Sequence, residues 1–332
     1  MMENDNVLEI NNLHTYFFPD QSEVHAVDGV SLKLKRGNTL GIVGESGSGK
    51  SITALSIMGL LSGTSAKIVE GEILFDGNDI LKLSKAKRRD IRGKKISMIF
   101  QEPMTSLNPV LKIGNQLEEA VLLHENVNRK EAQKKSLEML IKTGIPRAES
   151  IMHEYPFQLS GGQRQRVMIA MALICKPQVL IADEPTTALD VTIQAQILDL
   201  IDDLKVENGT SAIFITHDLG VVAEICDDVA VMYCGRVVES GSVYDIFENP
   251  SHPYTRGLLQ SMPTLESEDT ELPAIPGNVP DPKHWPVGCK FAPRCSCSNE
   301  KCEEEPGFYT VSPGHTSRCW LCQDKDGGGQ NE

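Results

Sequence analysis

The sequence predicts an α/β chain: a mostly parallel β-sheet with helices on both faces, a helical insertion, and a small irregular end rich in cysteine. Three observations carry most of that expectation. Short apolar runs of strand type alternate with helical runs, a long stretch rich in Leu, Glu, Lys and Ala interrupts the alternation, and residues 289–332 hold six of the nine cysteines.

Taken in order, Leu8–Phe18 and Val30–Leu34 show apolar alternation and β-formers, and TLGIVG (Thr39–Gly44) reads as a buried strand ending in a glycine turn. SITALSIMGLL (Ser51–Leu61) has apolar residues at helical spacing and stops near Ser62-Gly63. From Ile113 to Ile141 apolar residues recur at three and four, so helices are expected, within a helical subdomain of about residues 102–170. VLIADEP (Val179–Pro185) reads as a strand, Val191–Val206 as a helix, and SAIFITHD (Ser211–Asp218) as another buried strand. Met262–Gly288 contains six prolines and reads as a linker or irregular wrap. The expected division is a main domain over 1–248 and an extension over 249–332.

With 332 residues and 40% apolar composition the chain can bury a sizeable core. Its start, MMENDNVLEI, lacks a basic stretch leading into an apolar one and does not read as a secretory signal. The longest nearly pure apolar run, VMIAMALIC (Val167–Cys175), falls well short of the roughly 20 residues that cross a bilayer. A net charge of -14 argues against broad binding to nucleic-acid backbones, and no nucleic-acid partner is expected. Thiols of an unexported chain stay reduced, which favours metal ligation over disulfides at the cysteine-rich end.

GESGSGKS fits the phosphate-loop pattern and lies between a buried strand and a helix, as its chemistry requires. Gly44, Glu45, Ser46, Gly47, Ser48 and Gly49 turn backbone N–H groups toward phosphates, and Lys50 reaches the β and γ phosphates. Ser51 offers its hydroxyl to Mg²⁺, and Ile52 continues the helix. In VLIADEP the strand delivers two acids: Asp183 to hold Mg²⁺ through its water shell and Glu184 to polarise an attacking water.

LSGGQ (Leu159–Gln163), together with the phosphate loop and DEP, resembles the motif set of ATP-binding cassette proteins, which implies a RecA-like P-loop NTPase core with a helical subdomain and an antiparallel β edge. The resemblance implies that Gln101 senses Mg²⁺ and the γ-phosphate, that Leu189-Asp190 form the D-loop, and that His217 is the switch histidine. It implies an aromatic residue on adenine, with Phe17 the better match and Tyr16 adjacent. It also implies that Ser160, Gly161, Gly162 and Gln163 of one subunit close on ATP held by another, so the chain pairs with itself or with a similar ATPase.

QEPMTSLNPVLKIG (Gln101–Gly114) and NPSHPYTRGLL (Asn249–Leu259) resemble the dipeptide and oligopeptide importer ATPases. That likeness implies ATP-driven peptide import, docking of Glu102–Pro109 on two integral-membrane permeases at the cytoplasmic face, and an extracytoplasmic peptide-binding protein acting indirectly. Nickel importers share this tail, and a soluble cassette acting on nucleic acid or ribosomes is a more distant alternative. Cys289, Cys295, Cys302 and Cys319 resemble the ligands of a [4Fe-4S] cluster found in some of these ATPases, while Cys297 and Cys322 are extra thiols. Gaps of five and six between the first three are wider than the close pairs usual for zinc. Cys175, Cys226 and Cys234 sit among apolar residues and are expected to be ordinary buried thiols.

Overall fold

The computed structural model describes residues 5–19, 22–102, 106–187, 190–262 and 274–325. In chain order these form β1 (Asn6–Phe17), β2 (Val24–Lys35), β3 (Thr39–Val43), α1 (Lys50–Met58), β4 (Ala66–Phe75), β5 (Asn78–Asp79), α2 (Lys85–Ile91) and β6 (Ile96–Ile99). There follow α3 (Ile113–His124), α4 (Arg129–Lys142), α5 (Ala148–Ile151), α6 (Gly161–Leu173), β7 (Val179–Asp183), α7 (Val191–Asn208), β8 (Ser211–Ile215) and α8 (Leu219–Ile225). The last elements are β9 (Asp228–Tyr233), β10 (Arg236–Ser242), α9 (Val243–Glu248), α10 (Pro253–Gln260), β11 (Tyr309–Ser312) and β12 (His315–Ser317).

The chain divides into two compact units, one built mainly from Asp79–Phe214, the other from Glu9–Lys33, Asn38–Asn78 and Ile215–Glu332. In the first unit β6, β7 and β8 stand in that order, and β6 pairs with β7 in parallel, Ile96 opposite Val179. Every residue of these three strands is buried, as expected of parallel strands covered on both faces. The same unit carries the expected helices. The run 113–141 contains two of them because Asn128 caps α4 and Glu131 answers with its own side chain, a reciprocal capping box that restarts the helix.

In the second unit β2, β1, β4 and β5 make one sheet. A second set runs β3, β9, β10, β12, β11, with β3 and β9 parallel and the later pairs antiparallel. Helix α1 starts one residue before the expected Ser51, at Lys50, and ends at Met58 rather than Leu61, because Gly59 adopts the left-handed conformation that caps a helix end. Among the described residues no helix is long and apolar enough to cross a membrane.

Candidate functional site

The phosphate loop lies in the second unit, between fully buried β3 and α1. Gly44 has φ 148° and Gly49 φ 100°, and a Cβ would fall 2.1 Å from the Met232 carbonyl at the first and 2.4 Å from the Ala26 carbonyl at the second. Backbone presses on both positions, so no side chain fits. Lys50 is nearly buried, and its Nζ donates to the carbonyls of Gly44 at 2.7 Å and Glu45 at 3.1 Å, which aims the ammonium along the loop. Ser48 is buried and its N–H donates to the Glu45 carbonyl at 3.2 Å, Ser46 and Gly47 are exposed, and Ser51 and Ile52 are half-buried in the first turn of α1.

His217, also in the second unit, is exposed just after β8; the next residue, Asp218, caps α8 by accepting from the N–H groups of Gly220 and Val221. At the end of β1, Tyr16 is stacked on the His25 ring at 3.8 Å, and its hydroxyl donates to Asp28. Burial, and then the nearby Asp28, raise the Tyr16 phenol to about 12. Phe17, the preferred adenine platform, is half-buried on the opposite side of the strand.

In the first unit Asp183 is buried at the carboxyl end of β7, and Glu184 follows with φ 46°, a left-handed backbone that a glutamate rarely adopts. The Glu184 carboxylate accepts from Gln101 Nε2 at 2.8 Å and from the Thr187 hydroxyl at 2.9 Å. Two of the sequence-derived residues, 83 positions apart, therefore meet. Ser160 caps α6: its hydroxyl accepts from the Gln163 N–H, and the Gln163 side chain accepts from the Ser160 N–H. Asp190 caps α7 by accepting from the Ile193 N–H at 2.9 Å. Leu189 and the segment 103–105 lie outside the described residues.

Cys289, Cys295, Cys302 and Cys319 line one pocket of the second unit, together with Cys297, Phe291 and Trp320. Burial raises the thiols of Cys289 and Cys295, and that of Cys319 to about 12. Among the described residues no three His, Cys, Asp or Glu side chains gather closely enough to hold a single metal ion. Cys322 is buried and Cys297 exposed. Cys226 and Cys234 are buried as expected, whereas Cys175 is half-buried, its thiol donating to the Ala120 carbonyl.

Three contacts had no signal in the sequence. The Glu45 carboxylate is held by Arg294, which lies just before Cys295, at 2.6 and 3.0 Å. The Glu45 N–H donates to the Tyr254 hydroxyl at 2.8 Å. Asp28 accepts from Lys290 and Arg236; burial alone would raise its carboxyl, but these two cations outweigh burial and hold it well below the usual range.

The chain matches the ABC transporter family over residues 27–187 and the oligopeptide/dipeptide transporter C-terminal region over 238–302. It is 53% identical over 320 residues to the oligopeptide transport ATP-binding protein AppD of Bacillus subtilis, covering 96% of this chain and 98% of that one. It is 52% identical to the dipeptide transport ATP-binding protein DppD of the same organism, over 96% of this chain and 95% of the relative. The dimeric structure of the bacterial cassette MJ0796 is similar at a TM-score of 0.63 and 32% identity, over 71% of this chain and 98% of that one. CbiO1 of Clostridium perfringens is similar at a TM-score of 0.62 and 32% identity, over 74% of this chain and 92% of that one. The fold is thus the expected P-loop cassette, and the chain belongs to the ABC transporter ATPases, in their oligopeptide and dipeptide transport family.

Proposed function

We propose that this ATPase drives import of dipeptides or oligopeptides across the cytoplasmic membrane, bound peripherally at its cytoplasmic face. Residues 1–248 act as the cassette and 249–332 as the extension. Gly44–Ile52 hold the ATP phosphates, with Lys50 on the β and γ phosphates and Phe17 against adenine. Ser51, Gln101 and Asp183 serve Mg²⁺. Glu184 takes a proton from the attacking water, and His217 contacts the γ-phosphate. The observation that carries this reading is the backbone of Glu184: a glutamate in the left-handed region, fixed by Gln101 and Thr187, is strain of the kind that concentrates at reacting groups.

The glycines of LSGGQ support pairing with a second cassette, the same or similar. A Cβ on Gly161 would meet nothing within 4 Å, and one on Gly162 only Ile193 at an ordinary 3.5 Å. Neither has a positive φ. Within this chain alanine would serve at both positions and would suit a helix better. Their bareness, at the exposed start of α6 where N–H groups attract anions, fits close approach of another subunit's nucleotide, to which Asp190 is also assigned. Glu102–Pro109 meets the two permeases, which receive peptide from an extracytoplasmic binding protein.

Cys289, Cys295, Cys302 and Cys319 are assigned to a [4Fe-4S] cluster. The support is that these four thiols line one pocket, and a cluster of this kind takes one thiolate at each of four irons. When bound, such a cluster supplies a structural staple or a redox or iron sensor, outside ATP hydrolysis.

The test is Glu184→Gln, tagged and expressed with its membrane partners. It should keep ATP, copurify with integral-membrane permeases and hydrolyse more slowly by about 10²-fold or more. Wild-type turnover removes Glu184 as the base, and absence of permeases from the purified assembly removes the import reading.

A further inference from the structure

The cysteine-bearing extension reaches the phosphate loop through one side chain. Arg294 closes the short helical turn Ala292–Arg294 between Cys289 and Cys295, and only 4% of its side chain is exposed. Its guanidinium forks both oxygens of Glu45, the second residue of GESGSGKS. The remaining donors are also used: Nε to the Pro276 carbonyl at 3.0 Å, and longer bonds of 3.4 Å to the Tyr233 hydroxyl and the Ile275 carbonyl. Glu45 is gripped at its other polar groups as well. Its N–H meets Tyr254, and its carbonyl receives Ser48 N–H and Lys50 Nζ. Tyr254, Tyr233 and Phe291 pack ring against ring at 4.7, 5.2 and 5.4 Å, which makes the platform beneath this contact rigid.

We propose that Arg294 is a positioning residue for ATP, which neutralises Glu45 and fixes the entrance of the phosphate loop, so that the extension is part of the nucleotide site. The physical need is one of sign. A carboxylate in a loop built to receive a triphosphate repels its ligand unless a cation cancels it, and a buried bidentate fork does so without flexibility. An arginine is protonated at any working pH, so the cancelling charge is always present.

This inference rests on the reading of Gly44–Ser51 as the nucleotide loop, and the experiment separates the two. The dissociation constant for Mg-ATP is measured by titration on the full chain, alongside KM and kcat and a thermal melt. Arg294→Gln should raise Kd and KM about tenfold with kcat within about twofold, because an uncancelled charge acts on binding rather than on the bond-breaking step. Arg294→Lys, which keeps the charge but not the fork, should fall between, and it carries the test alone if Arg294→Gln does not fold. Glu45→Gln in the Arg294→Gln background should recover most of the lost affinity, which a merely structural role would not allow. A Kd within about twofold of wild type in both Arg294 variants, or no recovery in the double variant, overturns the proposal. If wild type and Lys50→Ala bind Mg-ATP equally, the nucleotide-loop reading itself fails and takes the proposal with it.

Discussion

Glycines at two loops of this chain are bare for opposite reasons. At Gly44 the chain's own backbone forbids a side chain, since a Cβ would stand 2.1 Å from the Met232 carbonyl at φ 148°. Gly44→Ala should therefore cost about 2 kcal/mol or more of stability and abolish nucleotide binding, checked by thermal melting and Mg-ATP titration. Gly161 meets nothing, so Gly161→Ala should leave stability within about 0.5 kcal/mol while preventing ATP-driven pairing of Glu184→Gln cassettes, read by size-exclusion chromatography with light scattering. The sequence made both loops legible as motifs because phosphate-binding chemistry is written in adjacent residues. It could not show where the Glu45 carboxylate turns, because its partner Arg294 is 249 positions away and follows no local rule.

Strand β10 shows the same limit for an element. Its register shifts between Val237 and Glu239, a bulge that re-aims the side chain beside it. Glu239 is fully buried and accepts from the Ser251 and His252 N–H groups at 2.6 and 3.0 Å and from His315 Nε2 at 2.8 Å. Burial would raise its pKa, but His315, Thr255 and the two backbone donors overcome that and lower it. A carboxyl depressed in the folded state contributes stability at pH values above its unfolded pKa of about 4.3, and that contribution is lost as pH falls through and below this range. Glu239→Gln places an amide N–H₂ among donors; melts at neutral pH should show a loss of about 2 kcal/mol or more and a shallower acid dependence than wild type. A glutamate in the middle of a buried strand reads as surface in the sequence, which is why β10 and its partner β12 were not foreseen, while the wholly buried and mostly apolar β3, β7 and β8 were.

For the whole molecule, the sharpest expectation concerns iron. Protein purified without oxygen should be brown with about four irons per chain, and Cys295→Ser should bleach it. Colourless protein holding stoichiometric zinc would replace the cluster with a zinc staple. The sequence suggested the four ligands through their resemblance to those of related ATPases; what it did not show is that Arg294 on Glu45, and Lys290 on Asp28, tie the extension to the phosphate loop and to β2. The pairing of β12 with β10, Glu239 opposite Ser317 and Ser240 opposite Thr316, has a further effect. A sheet that ended at β10 would offer a row of unsatisfied amides to any passing strand, and here the chain's own last hairpin takes that place. A protein shortened before Tyr309 would bare that edge and should associate with itself, and it would lose Cys319 at the same stroke.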